Sequence, residues 1–139
     1  MPSQAWRSYV INLDRSPARL AAIAAQLQAL RLPFERFAAV EGRLLDPDRT
    51  PFFSRRRYEQ RHGKAPTPCE IGCFLSHIGV MRRFLQSDAQ FCMILEDDAV
   101  LGADLPAALD GLERARRQWD VALLYGNHPG MARTYLRIQ

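Results

Sequence analysis

The sequence predicts an α/β fold in which a mainly parallel sheet is flanked by helices, and three observations support this class. Short apolar runs at residues 9–13 and 91–95 are typical of buried strands. Helix start signals, followed by apolar residues at helical spacing, come after the first run and before the second. Strand and helix patterns alternate along the chain, which favours parallel strands joined by helical crossovers.

Length and composition indicate one globular domain over residues 1–139, with 47% apolar residues. A chain of this length buries about two thirds of its unfolded surface. No run approaches the ~20 apolar residues that a membrane span needs, and residues 1–15 lack a signal-peptide pattern. We therefore expect a cytoplasmic location, with peripheral contact with the inner membrane as a further option. The three cysteines match no zinc-binding spacing and are expected to be free thiols.

The chain opens with a predicted strand at residues 9–13, a tight turn and a helix. Ser16 is the expected N-cap and Pro17 the first helical residue. Apolar residues then recur at helical spacing, namely Leu20, Ile23, Ala24, Leu27 and Leu30. Because the start of a helix attracts anions through its free N–H groups, this turn is a candidate phosphate site to which Arg15 and Arg19 add positive charge. The turn has no glycine-rich motif, and a surface role for Arg19 is the alternative.

A second strand is predicted at residues 34–40, followed by a loop excursion over residues 43–66 that loses periodicity and contains three prolines. Residues 55–64 hold five basic residues and one acid, a balance equal to the net charge of the whole chain, +4. This segment is either a solvated face or a contact for anionic partners such as phosphates or an acidic membrane surface. We expect no nucleic acid partner, because only Tyr58 interleaves with the basic residues.

A helix is predicted to begin at Thr67, where residues 67–70 read TPCE and form a capping box. The expected buried stripe of this helix consists of Ile71, Phe74, Leu75, Ile78 and Leu85. Glu70, Cys73 and His77 fall on a face beside that stripe, which could line a pocket. In the alternative, Glu70 only caps the helix and His77 is structural or exposed.

The stretch at residues 91–98 runs from five apolar residues into Glu96, Asp97 and Asp98. In an open α/β sheet, ligands bind at the carboxyl ends of the strands, where these acids are expected to lie. Neighbouring carboxylates repel one another, and an all-oxygen ligand set suits Mg²⁺ or Mn²⁺. The alternative is a solvated turn whose aspartate caps the next helix.

The last third of the chain predicts a helix capped by Asp104 and a fourth strand at residues 121–125. The expected buried face of the helix consists of Leu105, Ala108, Leu109, Leu112, Ala115 and Trp119.

Three motifs, in this order and at these separations, resemble glycosyltransferase family 25. They are YVINLDRSPAR at residues 9–19, TPCEIGCFLSH at residues 67–77 and MILEDD at residues 93–98. The family comprises bacterial lipopolysaccharide and lipooligosaccharide glycosyltransferases, and collagen galactosyltransferase domains are related to it. The resemblance implies a GT-A-like, Rossmann-like fold, a UDP-sugar donor, typically UDP-galactose, and inverting transfer to a saccharide or lipid-linked saccharide acceptor.

The resemblance also implies a set of site residues. Nucleotide-sugar binding would involve Asn12, Leu13, Arg15, Arg19, Glu70, Ser76, His77 and Asp97. Glu96 and Asp98 stand where GT-A enzymes place their metal motif and would hold Mn²⁺ or Mg²⁺, with Asp98 as the first candidate for a direct ligand. The resemblance identifies no catalytic base.

Two departures from the family pattern bear on function. Cys69 stands where the family commonly has a small residue, and family members usually continue well past the position of Gln139. We therefore expect the fold to be incomplete relative to the family, with much of the acceptor site outside this sequence. A non-catalytic domain that binds a nucleotide sugar or a partner is one competing hypothesis. A metal-dependent phosphohydrolase is another, although the aspartate nucleophile pattern is missing.

Overall fold

The computed structural model describes residues 5–124 and 134–136. The chain forms two compact units, Met1–Leu101 and Gly102–Gln139, which are described separately. The interpretation of residues 1–139 as one domain stays a prediction.

The first unit contains a three-stranded parallel sheet in the order β2-β1-β3. The strands are β1 (Trp6–Asn12), β2 (Glu35–Ala38) and β3 (Phe91–Glu96), and the helices are α1 (Pro17–Ala29), α2 (Arg55–His62) and α3 (Pro68–Phe84). The register runs from Trp6 opposite Phe91 to Ile11 opposite Glu96. The predicted α/β fold, with a parallel sheet flanked by helices, is therefore confirmed.

The central strand β1 is buried from Ser8 to Asn12. Strands that are covered on both faces carry continuous apolar runs, and the sequence of β1 has this character. The core around it contains Tyr9, Val10, Ile11, Ile23, Leu27, Ile71, Val80 and Met93. Helices α1 and α3 thus each contribute apolar side chains to the core of the first unit.

Helix α3 starts with the predicted capping box. The Thr67 hydroxyl accepts a hydrogen bond from the Glu70 backbone N–H at 3.2 Å, and the Glu70 carboxylate accepts one from the Thr67 N–H at 2.8 Å. Two backbone donors at the helix start are therefore satisfied by side chains.

The predicted buried stripe of α3 is partly wrong, because Phe74 and Leu85 are exposed. The buried positions are Ile71, Gly72, Ser76 and Val80. Two glycines account for the difference, since a Cβ atom at Gly72 would lie 2.6 Å from the Val40 carbonyl oxygen and one at Gly79 would lie 2.5 Å from the Phe37 ring. The helix therefore turns the side with the smallest residues, and not its most apolar side, toward β2 and the segment that follows it.

Part of the predicted loop excursion is helical. A 3₁₀ turn at Gly42–Leu44 precedes α2, whose N-cap Ser54 accepts a hydrogen bond from the Arg57 N–H. Gly63 ends α2 with φ of +67°, a left-handed conformation that glycine adopts without strain. The Phe53 ring packs against Phe74 at a centroid distance of 5.9 Å and so connects this segment to α3.

The second unit contains α4 (Leu105–Arg114) and the strands β4 (Val121–Leu123) and β5 (Thr134–Leu136). The buried residues of α4 are Leu105, Ala108, Leu109 and Leu112, all of which belong to the predicted face. Asp104 occupies the predicted N-cap position of α4, but its side chain makes no capping hydrogen bond.

The predicted fourth strand does not pair in parallel. Strand β4 forms an antiparallel pair with β5, with Val121 opposite Leu136 and Leu123 opposite Thr134. An antiparallel partner close in sequence requires no long crossover, whereas a parallel pairing does. Tyr125, the last residue of the predicted strand, lies outside the described residues.

Two further findings concern the cysteines and the helices. Cys69, Cys73 and Cys92 are free thiols, as predicted. Within the described ranges, the helices are too short or too polar to cross a lipid bilayer.

Candidate functional site

The carboxyl ends of the three parallel strands meet at one edge of the sheet. Asn12 at the end of β1 lies opposite Ala38 of β2, and Ile11 lies opposite Glu96, the last residue of β3. Side chains that follow the strands therefore gather at this edge, which is where open α/β sheets bind ligands.

The Asn12 side chain connects three of the segments at this edge. It is 2% exposed, and its amide nitrogen donates to the Asp97 carboxylate at 2.7 Å and to the Ser16 carbonyl at 3.0 Å. Both amide hydrogens are therefore used, one toward the segment after β3 and one toward the start of α1. The buried Asn12 side chain therefore connects β1 to the segments that contain Ser16 and Asp97.

Arg36 of β2 completes the bonding of Asn12 and was not predicted from the sequence. Its Nε donates to the Asn12 side-chain oxygen at 3.0 Å, and a terminal nitrogen donates to the Asn12 carbonyl at 3.1 Å. The same guanidinium forms an ion pair with Asp14. An arginine within the predicted second strand was the available signal, because a half-buried charge requires partners.

Arg19 on the first turns of α1 holds the two aspartates that follow β3. Its guanidinium lies 2.6 Å from an Asp97 oxygen and 2.9 Å from an Asp98 oxygen. The Asp97 side chain is 9% exposed and that of Asp98 is 66% exposed. Asp97 is therefore enclosed by Asn12 and Arg19, whereas Asp98 is open to solvent and to ligands.

Glu96 belongs to a different group from its two acidic neighbours in sequence. Its carboxylate oxygen Oε1 lies 3.4 Å from the Cys73 sulfur and 3.3 Å from His77 Nε2. Partial burial, together with the negative charge of Glu96, raises the pKa of the Cys73 thiol to about 11. The structure thus divides the three consecutive acids between α1 and α3. The helix pattern had placed Cys73 on one face with His77, but the residues implied by the resemblance did not include Cys73.

The turn between β1 and α1 places the remaining residues of the first motif. The half-buried Leu13 accepts a hydrogen bond from the Ser16 N–H through its carbonyl at 2.9 Å. Ser16 occupies the predicted N-cap position of α1, but its side chain makes no capping hydrogen bond. Arg15 pairs with Glu41, beyond β2, at 2.6 Å.

Glu70 and Ser76 make structural contacts that connect α3 to neighbouring segments. Besides capping the helix, Glu70 pairs with Lys64 at 2.7 Å, and these contacts lower the pKa of its carboxyl to about 2. The buried Ser76 hydroxyl donates to the Gly72 carbonyl at 2.6 Å and accepts from the Val40 N–H at 2.9 Å. It therefore fixes α3 to the segment after β2. The described contacts of these two residues lie apart from those of Asn12, Arg19 and the two aspartates.

The sequence profile described as glycosyltransferase family 25 (LPS biosynthesis protein) matches residues 6–129 of this chain. The chain belongs to glycosyltransferase family 25. The match includes β1, β3 and every residue of the groups described above.

Relatives of this family 25 chain include animal proteins. A glycosyltransferase 25 family member of Drosophila pseudoobscura pseudoobscura is 35% identical over 122 residues, which are 84% of this chain and 20% of that protein. One from Anopheles gambiae is 34% identical over 95 residues, 65% of this chain and 16% of the relative. Procollagen galactosyltransferase 1-B of Xenopus laevis is 27% identical over 124 residues, 84% of this chain and 20% of the relative. The chain thus spans about one fifth of the length of these curated relatives.

Proposed function

We propose that this family 25 chain provides the donor-binding part of a galactosyltransferase. It binds UDP-galactose with Mn²⁺ or Mg²⁺ at the carboxyl edge of the parallel sheet. The galactosyl group passes with inversion to a saccharide or lipid-linked saccharide acceptor such as lipopolysaccharide core. Family membership and the names of its relatives support the sugar-transfer chemistry.

The main support for a donor site here is one group of contacting side chains, formed by Asn12, Arg19, Asp97 and Asp98. It combines an exposed carboxylate with a guanidinium on the first turns of a helix. Pro17 has no N–H, but the N–H groups of Ala18 and Arg19 receive no capping bond from the Ser16 side chain, so they are available to a phosphate. A diphosphate bound there would contact Arg19 and the helix start together.

The residues present fit a hard divalent cation. Asp98 offers an exposed carboxylate whose partner in the structure is Arg19, whereas Glu96, the second metal ligand that the resemblance implies, lies with Cys73 and His77. Oxygen ligands of this kind suit Mn²⁺ and Mg²⁺. A cation held by Asp98 would supply positive charge beside the diphosphate. Arg19 would then exchange its contact with Asp98 for one with the phosphate oxygens and keep its contact with Asp97.

The chemistry requires the diphosphate to leave as the acceptor oxygen bonds to the anomeric carbon. Negative charge grows on the leaving diphosphate, and fixed positive groups nearby lower the barrier. Arg19 and the start of α1 supply such groups from this chain, while Asn12 and Arg36 keep the underlying backbone in place. Proton removal from the acceptor hydroxyl requires a general base.

UDP and Mn²⁺ together are expected to raise the melting temperature of the protein. A ligand that binds only the folded state at 100 times its Kd adds about 2.7 kcal/mol of stability. Differential scanning fluorimetry with UDP, Mn²⁺ or both measures the shift, and UMP serves as the matched control because it lacks the second phosphate. The proposal fails if millimolar UDP with Mn²⁺ shifts the melting temperature no more than UMP with Mn²⁺ does.

A second measurement separates an enzyme from a non-catalytic binding domain. An enzyme releases galactose from UDP-galactose or transfers it to an acceptor, whereas a binding domain does neither.

We also propose that α2 carries the contact with an anionic membrane surface at which a lipid-linked acceptor resides. Arg56, Arg57 and Arg61 are exposed on this helix, whereas Arg55 and Lys64 are paired with acids. Each basic residue near an anionic surface contributes about 1 kcal/mol to binding.

Replacing Arg56, Arg57 and Arg61 by Gln is therefore expected to weaken binding to phosphatidylserine vesicles by about 100-fold. The matched control replaces Arg114, Arg116 and Arg117 by Gln, which removes the same charge from exposed positions of the second unit. Sedimentation with vesicles, repeated at rising salt, measures both, and the affinity should fall as salt screens the charges. Equal effects of the two triple variants, or binding indifferent to salt, would show that α2 is only a solvated face.

A further inference from the structure

Cys73, His77 and Glu96 form a cluster that the proposed donor site does not use. Cys73 and His77 are one turn apart on the same face of α3, and Glu96 reaches them from the end of β3. Their potential ligand atoms, one sulfur, one nitrogen and one oxygen, all lie within 4.8 Å of one another. All three side chains are exposed or half-buried, so a solute can reach them.

We propose that this cluster is a binding site for a zinc-type transition-metal ion, separate in ligand chemistry from the hard-cation position at Asp98. The ligands are Cys73 Sγ, His77 Nε2 and Glu96 Oε1, with water in the fourth position. On binding, the Cys73 thiol releases its proton to solvent and the thiolate takes the cation. The inference does not rest on the proposed function, because metal binding here requires neither a nucleotide nor an acceptor.

The distances fit a tetrahedral ion. Zinc binds sulfur at about 2.3 Å and nitrogen or oxygen at about 2.0 Å. Tetrahedral angles then separate sulfur from oxygen by about 3.5 Å and nitrogen from oxygen by about 3.3 Å. The observed separations are 3.4 Å for Cys73 Sγ to Glu96 Oε1 and 3.3 Å for His77 Nε2 to Glu96 Oε1. The third separation, sulfur to nitrogen, is at most 4.8 Å, and metal binding would bring it to about 3.5 Å.

The chemical types of the three ligands determine which metal ions the cluster prefers. Thiolate and imidazole favour zinc and cobalt over magnesium and manganese, which favour carboxylate and water. Two ligands four residues apart on one helix face point the same way, an arrangement that helical zinc sites use. Occupancy would fix Glu96 to α3 and so hold the carboxyl end of β3 against that helix.

Titration of the reduced full chain with Co²⁺ tests the proposal, because cobalt replaces zinc and its thiolate complexes absorb in the near ultraviolet. We expect one Co²⁺ per chain with a thiolate charge-transfer band, and loss of the band when Zn²⁺ is added. About 100-fold excess of Mn²⁺ should leave the band unchanged. Zn²⁺ should also raise the melting temperature of the wild type.

Cys73→Ser should abolish the band, and His77→Gln should weaken Co²⁺ binding by more than about 100-fold, beyond what loss of an outer-shell partner costs. The matched controls are Cys69→Ser, an exposed cysteine one turn earlier on α3, and His62→Gln on α2. Circular dichroism of each variant checks that it folds, and the two ligand variants test the site independently. The proposal is overturned if no band forms in the wild type, if Cys69→Ser loses it as Cys73→Ser does, or if Mn²⁺ competes equally with Co²⁺.

Discussion

Replacing Asp98 by Asn is expected to weaken UDP binding in saturating Mn²⁺ by at least about tenfold while the protein stays folded. An amide is a poor ligand for a hard cation in place of a carboxylate, so the metal-dependent part of the affinity is lost. Stability should change by less than about 1 kcal/mol, because the Asp98–Arg19 ion pair is exposed at both side chains. Isothermal titration calorimetry with UDP in Mn²⁺ and in chelator measures the two affinities.

In chelator, the direction in which UDP affinity changes separates the two interpretations of Asp98, a metal ligand or a turn residue. Without metal, the substitution removes a negative charge beside an anionic ligand and leaves Arg19 with one aspartate partner, so UDP affinity should stay equal or rise. Asp88→Asn is the matched control, since Asp88 is exposed and precedes β3, at the opposite edge of the sheet. Equal UDP affinities of the wild type and Asp98→Asn in Mn²⁺ would contradict a metal role and leave Asp98 as a turn residue.

Replacing Gly42 by Ala is expected to lower the free energy of unfolding by about 3 kcal/mol, the upper part of the usual range for overpacking. A Cβ atom at Gly42 would lie 1.7 Å from the Pro68 carbonyl oxygen and 3.0 Å from the Gly72 nitrogen. Both obstacles are backbone atoms of α3, so no side-chain rotation can relieve the clash. Urea denaturation followed by circular dichroism measures the loss of stability.

Gly63→Asn is the matched control for Gly42→Ala in the same unit. Gly63 has a positive φ, which asparagine tolerates, and no atom would lie within 4 Å of an added Cβ. Its effect should stay below about 1 kcal/mol. If Gly42→Ala unfolds at the same urea concentration as the wild type, the close approach of the 3₁₀ turn to α3 is not a constraint on the fold.

The parts of the fold that the sequence predicted well are those set by neighbouring residues. The capping box at Thr67 and Glu70 depends on residues three apart, and the apolar run of β1 is itself the reason for its burial. The buried side of α3 was misjudged because close approach at Gly72 and Gly79, and not apolar periodicity, decides which side faces inward. The partner of β4 was misjudged because pairing depends on a second segment that periodicity does not identify.

The candidate site was predictable as a place but not as a set of contacts. The strand pattern placed Glu96, Asp97 and Asp98 at the carboxyl end of a strand, and the family resemblance added Asn12. The structure brings Asn12 and Asp97 into direct contact. The separation of Glu96 from its neighbours depends on which side chains reach it from α3, and Arg36 acts through a register between strands. Contacts of this kind join residues far apart in the chain, so the spacing of residues in the sequence does not predict them.

The position of β1 in the middle of its sheet has a consequence for biosynthesis. Its neighbour β2 ends at Ala38, whereas its other neighbour, β3, ends at Glu96. While the ribosome makes the intervening residues, one side of β1 keeps its backbone N–H and C=O groups unpaired beside apolar side chains. An open edge of this kind can pair with another nascent chain. We therefore expect the interval between residues 38 and 96 to be the period of synthesis in which the chain most needs chaperone protection.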